Sequence, residues 1–501
     1  MMAFLNNKRR LIALVMAIVF AALVCVTVYF FAFQERKTPA QQEPEAWMTI
    51  FVHGTFGSLL GFLNFFDVLG DKVSGTLYRT VTKKMRNDSF FFKDQAILQR
   101  GLVGFIPSFD LVSTGGKKMA AYPIAKAFLA VLEAANPEHE RNYFYAFGWS
   151  GLISQNSRRF EAIRFYNALA EELEQFAKRG IRPKIRIISH SHGGNISLNM
   201  AAIEKILKNG GFDESKVLSS DPDENESLQR MRSLLKELPN KEKAKTRTDQ
   251  KIYDYVPTYR DLVIDELIMY GSPVQPETES FFHSGTFKNV YHLYSEEDYV
   301  QRLDWVSSKK PLSGQRLSHY PALKKTGANG AGVRVVQAKI MSEKTMENKA
   351  PAVVPSKKEA APKPEEKKAT EPTVIGELFA GRNVFVKGSK DPTHKELWFM
   401  MWADEQHAYT SFLHPLPTVI MTPLIVNALK KAPELNDVDV NINATETKVT
   451  VYIAPHDQTI VRSSATIPRA VIEHIQDRIK VWQPEDVSPT AEFNAIYRHL
   501  K

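Results

Sequence analysis

Residues 187–195 read IISHSHGGN and place Ser191 between two histidines, after an apolar run and before two glycines. The preceding run, Lys184–Ile188, is rich in β-branched residues, which predicts a buried strand. The following segment, Asn195–Lys208, carries apolar residues at helical spacing, namely Ile196, Met200, Ile203 and Leu207. The stretch is therefore predicted to form a tight turn between a strand and a helix.

Strands and helices alternate on both sides of this turn. We predict further strands at Met48–Val52, Asn142–Phe147, Glu266–Tyr270, Val290–Tyr294 and 333–341. Arg159–Arg179 is predicted to be an amphipathic helix, because its apolar residues recur at helical spacing and Gly180 follows it. This alternation is typical of a mostly parallel sheet flanked by helices, so the predicted fold class is α/β.

The chemistry of the turn depends on Ser191. A neutral serine hydroxyl is a poor nucleophile and needs a base that is itself oriented by a third group. A sharp strand-to-helix turn can present such a serine if the residues two before and two after it are small, and here these are Ser189 and Gly193. The backbone N–H of His192 would then point at a developing oxyanion.

The motif resembles the G-x-S-x-G nucleophile elbow of the α/β-hydrolase superfamily, in the HSHGG form of lipases, with Ser189 in place of the usual glycine. The stretch FVHGTFG, residues 51–57, resembles the His-Gly oxyanion loop of lipases. This resemblance implies that the backbone N–H of Thr55, or else of Phe56, is the second oxyanion donor, and that His53 and Phe56 contact the substrate. It spans about residues 47–300 and implies an α/β-hydrolase-like sheet.

A further stretch, FGWSG at residues 147–151, also resembles the segment before the elbow in bacterial lipase-like proteins. Arg158 and Arg159 follow it. We interpret Trp149 and Ser150 as structural, because a buried tryptophan mainly serves packing.

The superfamily order of catalytic residues is serine, then acid, then histidine. The acid should follow a later strand, and Asp298 lies shortly after Val290–Tyr294 in a S-x-x-D-x-V stretch that resembles the lipase acid loop. The neighbouring acids Glu296, Glu297 and Asp304 remain alternatives.

The candidate base is His394, on a polar turn directly before an aromatic run. His319, His407 and His414 remain alternatives. We interpret His53 and His190 as residues that shape loops. A metal site at His190 and His192 is not favoured, because their side chains do not share a face and no acidic partner is near in sequence. The sequence predicts no metal and no other cofactor.

Composition limits the function classes. The chain has 501 residues, of which 44% are hydrophobic, so it can bury a large core. Its 65 basic and 56 acidic residues give a modest net charge of +9, which does not indicate a nucleic-acid surface. Cys25 is the only cysteine, so no internal disulfide can form.

The N-terminus predicts membrane attachment. Residues 1–10 end in Lys8, Arg9 and Arg10, and the apolar run 11–33 is long enough to cross a bilayer as a helix. Basic residues before a first apolar segment favour retention on the cytoplasmic side. We therefore expect an uncleaved signal anchor, with a cleavable signal peptide as the alternative, a tether at 34–46, and a catalytic domain on the periplasmic side of a bacterial inner membrane.

The remainder divides by composition. We predict a hydrolase core at 47–342 with a charged helical insertion at about 213–260, and a disordered Lys/Glu/Ala/Pro linker at 343–373. Residues 374–501 are expected to complete the core, with the helix-like stretch PTVIMTPLIVNALKKA and the paired strands DVDVNI and KVTVYIA in a small α/β extension.

These patterns together predict a membrane-anchored serine hydrolase of lipase or carboxylesterase type. The apolar region LLGFLNFFDVLG, residues 59–70, favours a lipid or other long-chain ester. Two alternatives remain open: an acyltransferase that uses the same triad, and an inactive envelope protein that uses the hydrolase scaffold to bind a protein partner.

Overall fold

The structure is a computed structural model of the 501-residue chain. It describes residues 46–54, 102–106, 121–136, 141–147, 149, 154–209, 212–213, 216–245, 253–259, 261–298, 301, 316–317, 332–341, 391–394, 396–398 and 410–482. The predicted anchor 11–33, tether 34–46 (except Ala46), apolar region 59–70 and linker 343–373 lie outside the described residues. Among the residues that are described, no helix is both long and apolar enough to cross a membrane.

Ten strands of the described chain form one sheet. They are β1 (Ala46–Val52), β2 (Leu102–Ile106), β3 (Arg141–Phe147), β4 (Lys184–His190), β5 (Ile264–Tyr270), β6 (Phe287–Tyr294), β7 (Arg334–Met341), β8 (Asp437–Ala444), β9 (Lys448–Pro455) and β10 (Ser463–Pro468). Their order across the sheet is β10-β9-β8-β7-β6-β5-β4-β1-β3-β2. The neighbours from β3 to β8 run parallel, while β2, β9 and β10 pair antiparallel at the two ends. The predicted mostly parallel α/β class is therefore confirmed.

Helices cover both faces of the sheet. They are α1 (Ala121–Ala135), α2 (Gln155–Lys178), α3 (His192–Lys208), α4 (Pro222–Glu237), α5 (Lys241–Lys245), α6 (Pro276–Glu279), α7 (Thr422–Lys430) and α8 (Arg469–Trp482). The 3₁₀ turn Ser280–His283 follows α6, and the 3₁₀ turn Thr418–Met421 precedes α7. Within the predicted insertion 213–260, α4 and α5 are helical, whereas residues 216–221 and 253–259 are not.

Alternation along each strand divides the core into two layers. On β1, Met48, Ile50 and Val52 pack with α2, α3 and α4, whereas Phe51 packs on the other face with α1, α7 and α8. Successive strand residues point to opposite faces, so a strand covered on both sides becomes apolar throughout. This explains the continuous apolar runs of the sequence.

Strand order fixes where a site can form. The strands β1 and β4 are parallel neighbours, with Val52 opposite Ser189 at their carboxyl ends. The chain continues from β1 toward β2 and β3 on one side, and from β4 toward β5 on the other. In open α/β sheets, ligands bind in the crevice at such a reversal of strand order. The turn that carries Ser191 leaves the sheet at this crevice.

A buried ion-pair network joins the sheet to α7. Glu266 on β5 accepts hydrogen bonds from Arg186 Nε and Lys430 Nζ, both at 2.6 Å. The Arg186 guanidinium also lies 4.1 Å from the centre of the Trp47 ring. Burial by itself would raise the pKa of Glu266, but Arg186 and Lys430 outweigh it and lower that pKa from its ordinary 4.5. The carboxylate is therefore charged in the folded protein at neutral pH.

We predict that Glu266→Gln lowers the free energy of unfolding by about 3–5 kcal/mol at pH 7, because Arg186 is left buried without its charge partner. Since the folded carboxyl has the lower pKa, its contribution is present above pH 4.5 and is lost as the pH falls through the folded value. Urea unfolding at pH 7 and at acid pH should show that the difference in the free energy of unfolding between the wild type and Glu266→Gln becomes smaller as the pH falls. The control Glu473→Gln removes an exposed pair with Arg469 and should change stability by less than about 1 kcal/mol; equal losses in both variants would contradict the prediction.

Candidate active site

Ser191 occupies a strained turn. It lies between the last residue of β4 and the first residue of α3, with φ 51° and ψ −132°. Non-glycine residues adopt positive φ rarely, and such strain clusters at functional sites. The turn is held by hydrogen bonds from Ser191 N to the Tyr270 carbonyl, at 2.8 Å, and from Gly194 N to the Ser191 carbonyl, at 3.0 Å. This geometry places Ser191 at the carboxyl end of β4, where the chain leaves the sheet.

The small residues of the motif are required by close packing. A Cβ on Gly193 would lie 2.6 Å from the His53 carbonyl oxygen and 2.8 Å from that of Val52. Ser189, which departs from the usual glycine, is buried and its hydroxyl lies 3.3 Å from the Ile268 carbonyl oxygen, which accepts its hydrogen bond. A serine therefore fits at this position without leaving an unsatisfied hydroxyl.

The end of β1 lies close to the turn that carries Ser191. A Cβ on Gly54 would lie 2.7 Å from Ser191 Cβ, so only glycine fits there. The predicted donor Thr55 and the predicted substrate contact Phe56 lie just beyond, outside the described residues. His192, the other predicted donor, is the first residue of α3, where N–H groups point out of the helix.

His53 and Trp149 lock this end of β1. His53 Nδ1 donates to the Gly54 carbonyl at 2.7 Å, and its Nε2 accepts from Trp149 N at 3.2 Å. Trp149 Nε1 donates to the His53 carbonyl at 2.7 Å, and the two rings stack at 5.5 Å. Burial lowers the pKa of His53 to about 4, so the ring is neutral at pH 7. These contacts fit a loop-shaping role for His53 and a packing role for Trp149.

Asp298 and His394 form a hydrogen-bonded pair, although 96 residues separate them in the chain. His394 Nδ1 lies 2.7 Å from Asp298 Oδ2. The Asp298 side chain is fully buried, and its other oxygen accepts from Gln301 N at 3.2 Å. A carboxylate only accepts hydrogen bonds, so the proton is on His394 Nδ1 and Nε2 is left as an acceptor. This is the tautomer that a general base needs.

The alternative acids and histidines are arranged differently. Glu296 pairs with Lys339 Nζ at 2.7 Å, and Glu297 follows in the same turn with its backbone N–H on Ser295 Oγ. His414 lies in another turn, where its carbonyl accepts from Gln476 Nε2 at 2.6 Å. Asp304, His319, His407 and Ser150 lie outside the described residues. Among the described candidates, Asp298 and His394 are the acid and histidine joined by a hydrogen bond.

Gly271 is a site residue that sequence reasoning missed. It follows Tyr270, whose carbonyl receives the Ser191 N–H, and it has φ +55°. A Cβ on Gly271 would lie 2.6 Å from Asp298 Oδ2 and 3.0 Å from His394 Nδ1. A glycine directly after a buried strand is the signal that could have found it.

For the ester hydrolysis that the sequence predicts, we expect Gly271→Ala to lower the rate by about 100-fold or more, because the new methyl group displaces the Asp298–His394 pair. A smaller loss of stability should follow from the positive φ, on the order of 1–2 kcal/mol. Ester hydrolysis rates and thermal unfolding measure the two effects. Gly285→Ala is the matched control, since a Cβ there meets no atom within 4 Å; full activity of Gly271→Ala would show that the site tolerates the methyl group.

His190, the last residue of β4, contacts the turn that carries His394. Its Nε2 lies 3.1 Å from the His394 carbonyl oxygen, and the two ring centres are 4.4 Å apart. Its ring also stacks on Trp398 at 5.4 Å. Burial lowers the pKa of His190 well below 6.5, helped by the neighbouring His394, so this ring is neutral.

One group of described side chains has the chemistry of a metal site: Asp439, His456 and Asp457. This group lies at the amino end of β8, whereas Ser191 follows the carboxyl end of β4. His456 Nδ1 lies 2.7 Å from Asp439 Oδ1, while Arg316 donates to His456 Nε2 and, at 2.6 Å, to Asp437. The guanidinium already provides the positive charge that a metal ion would bring.

In comparisons with known proteins, no family model, curated protein or solved structure matches this chain. The assignment of function therefore depends on the geometry of the site.

Proposed function

We propose that this protein is a serine hydrolase of α/β-hydrolase type that cleaves carboxylic esters through Ser191, His394 and Asp298. The observation that carries the proposal is the 2.7 Å contact between Asp298 and His394, at the carboxyl ends of the strands, where Ser191 occupies a strained turn. Three distant parts of the chain supply these side chains. A nucleophile turn together with an oriented histidine is the arrangement that serine catalysis requires.

In the proposed mechanism, His394 Nε2 takes the proton of the Ser191 hydroxyl as the oxygen attacks the ester carbonyl. Asp298 holds the His394 ring through Nδ1–H and stabilises the imidazolium. The N–H groups of His192 and Thr55 receive the oxyanion. The proton on Nε2 then passes to the departing alcohol, leaving an acyl group on Ser191. Water, deprotonated by the same nitrogen, attacks the acyl carbon and releases the acid and the free serine.

The fold supports this proposal. Ser191 and Gly54 meet at the carboxyl ends of β4 and β1, at the reversal of strand order. The site also agrees with the sequence resemblance to the nucleophile elbow, including the close packing at Gly193 and Gly54. A membrane anchor at residues 11–33 and the apolar region 59–70 would direct the enzyme to long-chain or lipid esters.

Hydrolysis and product analysis test the proposal. The full chain, purified in detergent micelles, is expected to release nitrophenol from p-nitrophenyl esters and an equal amount of free acid, whether or not an alcohol is added. Transfer of the acyl group to the added alcohol in place of free acid would indicate an acyltransferase. Failure to cleave both short-chain and long-chain esters, in a sample with a cooperative melt, would reject the enzyme and favour a scaffold that binds a partner.

A further inference from the structure

His190 links the two parts of the site that approach Ser191. On one side its Nε2 lies 3.1 Å from the His394 carbonyl oxygen. On the other side its Nδ1 lies only 3.0 Å from the place where a Cβ on Gly54 would be. The ring is therefore packed between the end of β1 and the turn that carries the histidine base. Nothing in the proposed mechanism uses it directly.

The hydrogen bond defines the state of the ring. A carbonyl only accepts, so His190 Nε2 carries the proton and donates it. A neutral His190 can lie 4.4 Å from the His394 ring without opposing the positive charge that His394 gains during the reaction. The flat contact with Trp398, at 5.4 Å and an interplanar angle of 13°, further fixes the orientation of the His190 ring.

The His394 turn needs such a link because it is distant in sequence from the nucleophile. On its far side the turn is tied to the 3₁₀ turn before α7, where Thr418 N donates to the Glu396 carbonyl at 2.9 Å and Val419 N to the Leu397 carbonyl at 3.0 Å. His190 connects the backbone of the base itself to β4, across 204 residues. Ser191, the proposed nucleophile, directly follows His190 in the chain. The hydrogen bond from His190 therefore links the backbone of His394 to the residue next to Ser191.

We propose that His190 is a positioning residue, whose Nε2–H fixes the backbone of His394 so that the base faces Ser191. This inference rests on the proposed serine hydrolase function. His190 touches neither the reacting ester nor the transferred proton. Its proposed contribution is to keep the His394 ring in the orientation from which Nε2 can take the serine proton, since a small displacement slows proton transfer.

Two substitutions separate the hydrogen bond from the ring. His190→Phe keeps a flat ring against Trp398 but removes the N–H donor. His190→Gln removes the ring but can present an amide N–H at a similar reach. We expect His190→Phe to lower kcat about 10- to 100-fold with KM within twofold of the wild type, and His190→Gln to recover at least part of the loss.

Tyr166→Phe is the matched control. It also keeps a buried ring and removes a hydroxyl that contacts the Glu204 carboxylate and the Tyr259 carbonyl, at a position outside the candidate site. This variant is expected to lose stability while its kcat stays near that of the wild type. His190→Asn, whose amide is too short to reach the His394 carbonyl, replaces His190→Phe if the latter fails to fold.

The outcomes distinguish this inference from the proposed function. An inactive wild-type protein would reject the function itself. An active wild type together with a fully active His190→Phe variant would overturn the positioning role. That role would also be overturned if the kcat of His190→Phe fell only as far as that of Tyr166→Phe, or if His190→Gln folded but recovered nothing.

Discussion

Ser191→Ala is expected to lower kcat for the proposed ester hydrolysis by about 10⁴- to 10⁶-fold, the range that loss of a catalytic serine produces in serine hydrolases. The reason is that alanine lacks the hydroxyl that forms the acyl-enzyme. The fold should be preserved, because alanine keeps the Cβ that packs against Gly54. Nitrophenol release measures the loss, and thermal unfolding checks the fold.

The control for this variant is Ser197→Ala. Ser197 is a buried serine on α3, the helix that follows Ser191, and its hydroxyl donates to the Gly193 carbonyl at 3.0 Å. It should keep activity within a few-fold of the wild type. If Ser191→Ala retained wild-type activity, the nucleophile would have to lie elsewhere.

Asp298→Asn is expected to lower kcat by about 10⁴-fold while leaving the fold intact, since asparagine has nearly the same shape. An amide that presents its NH₂ group to His394 Nδ1 makes that nitrogen an acceptor and moves the ring proton to Nε2. The ring then cannot take the proton of Ser191. Steady-state rates with a soluble ester measure this effect.

Glu296→Gln provides the comparison for this variant. Glu296 lies two residues from Asp298, but its side chain is about half exposed and pairs with Lys339. It should retain nearly full activity. A loss below tenfold in Asp298→Asn, or an equal loss in Glu296→Gln, would mean that Asp298 does not orient the base.

Much of the sheet could be predicted because buried parallel strands are continuously apolar. The strands predicted within β1, β3, β4, β5, β6, β7, β8 and β9 are all present, with ends that differ by a few residues. The helix after the elbow begins at His192, three residues earlier than predicted, because the glycines and Asn195 tolerate the first turn of a helix.

Sequence reasoning missed β10, α1 and α8, for different reasons. The strand β10 reads SSATIP, and its polar residues are tolerated because it is the last strand of the sheet that the described residues form. By contrast, α8 carries Ile472, Ile475 and Ile479 at helical spacing, so its signal was present in the sequence. α1 was also missed, although most of its residues are apolar.

Candidate site residues could be proposed from the sequence only where their signals are local. Ser191 follows from a nine-residue pattern, and Asp298 from its position after a strand. The local pattern that favours His394, a polar turn before an aromatic run, does not show its contact with Asp298, which is 96 residues away. Gly271 and the contact between His190 and His394 depend on how β4, β5 and the 391–398 turn pack together, which only the three-dimensional structure reveals.

The most direct test of the account is to locate a covalent adduct. The full chain would be treated with a fluorophosphonate, which reacts with activated serines, then digested and examined by mass spectrometry. The proposed role of Ser191 as the nucleophile predicts one modified serine, Ser191, with labelling greatly slowed in His394→Ala. A folded protein whose Ser191 stays unmodified, or an adduct on a different serine, would contradict it.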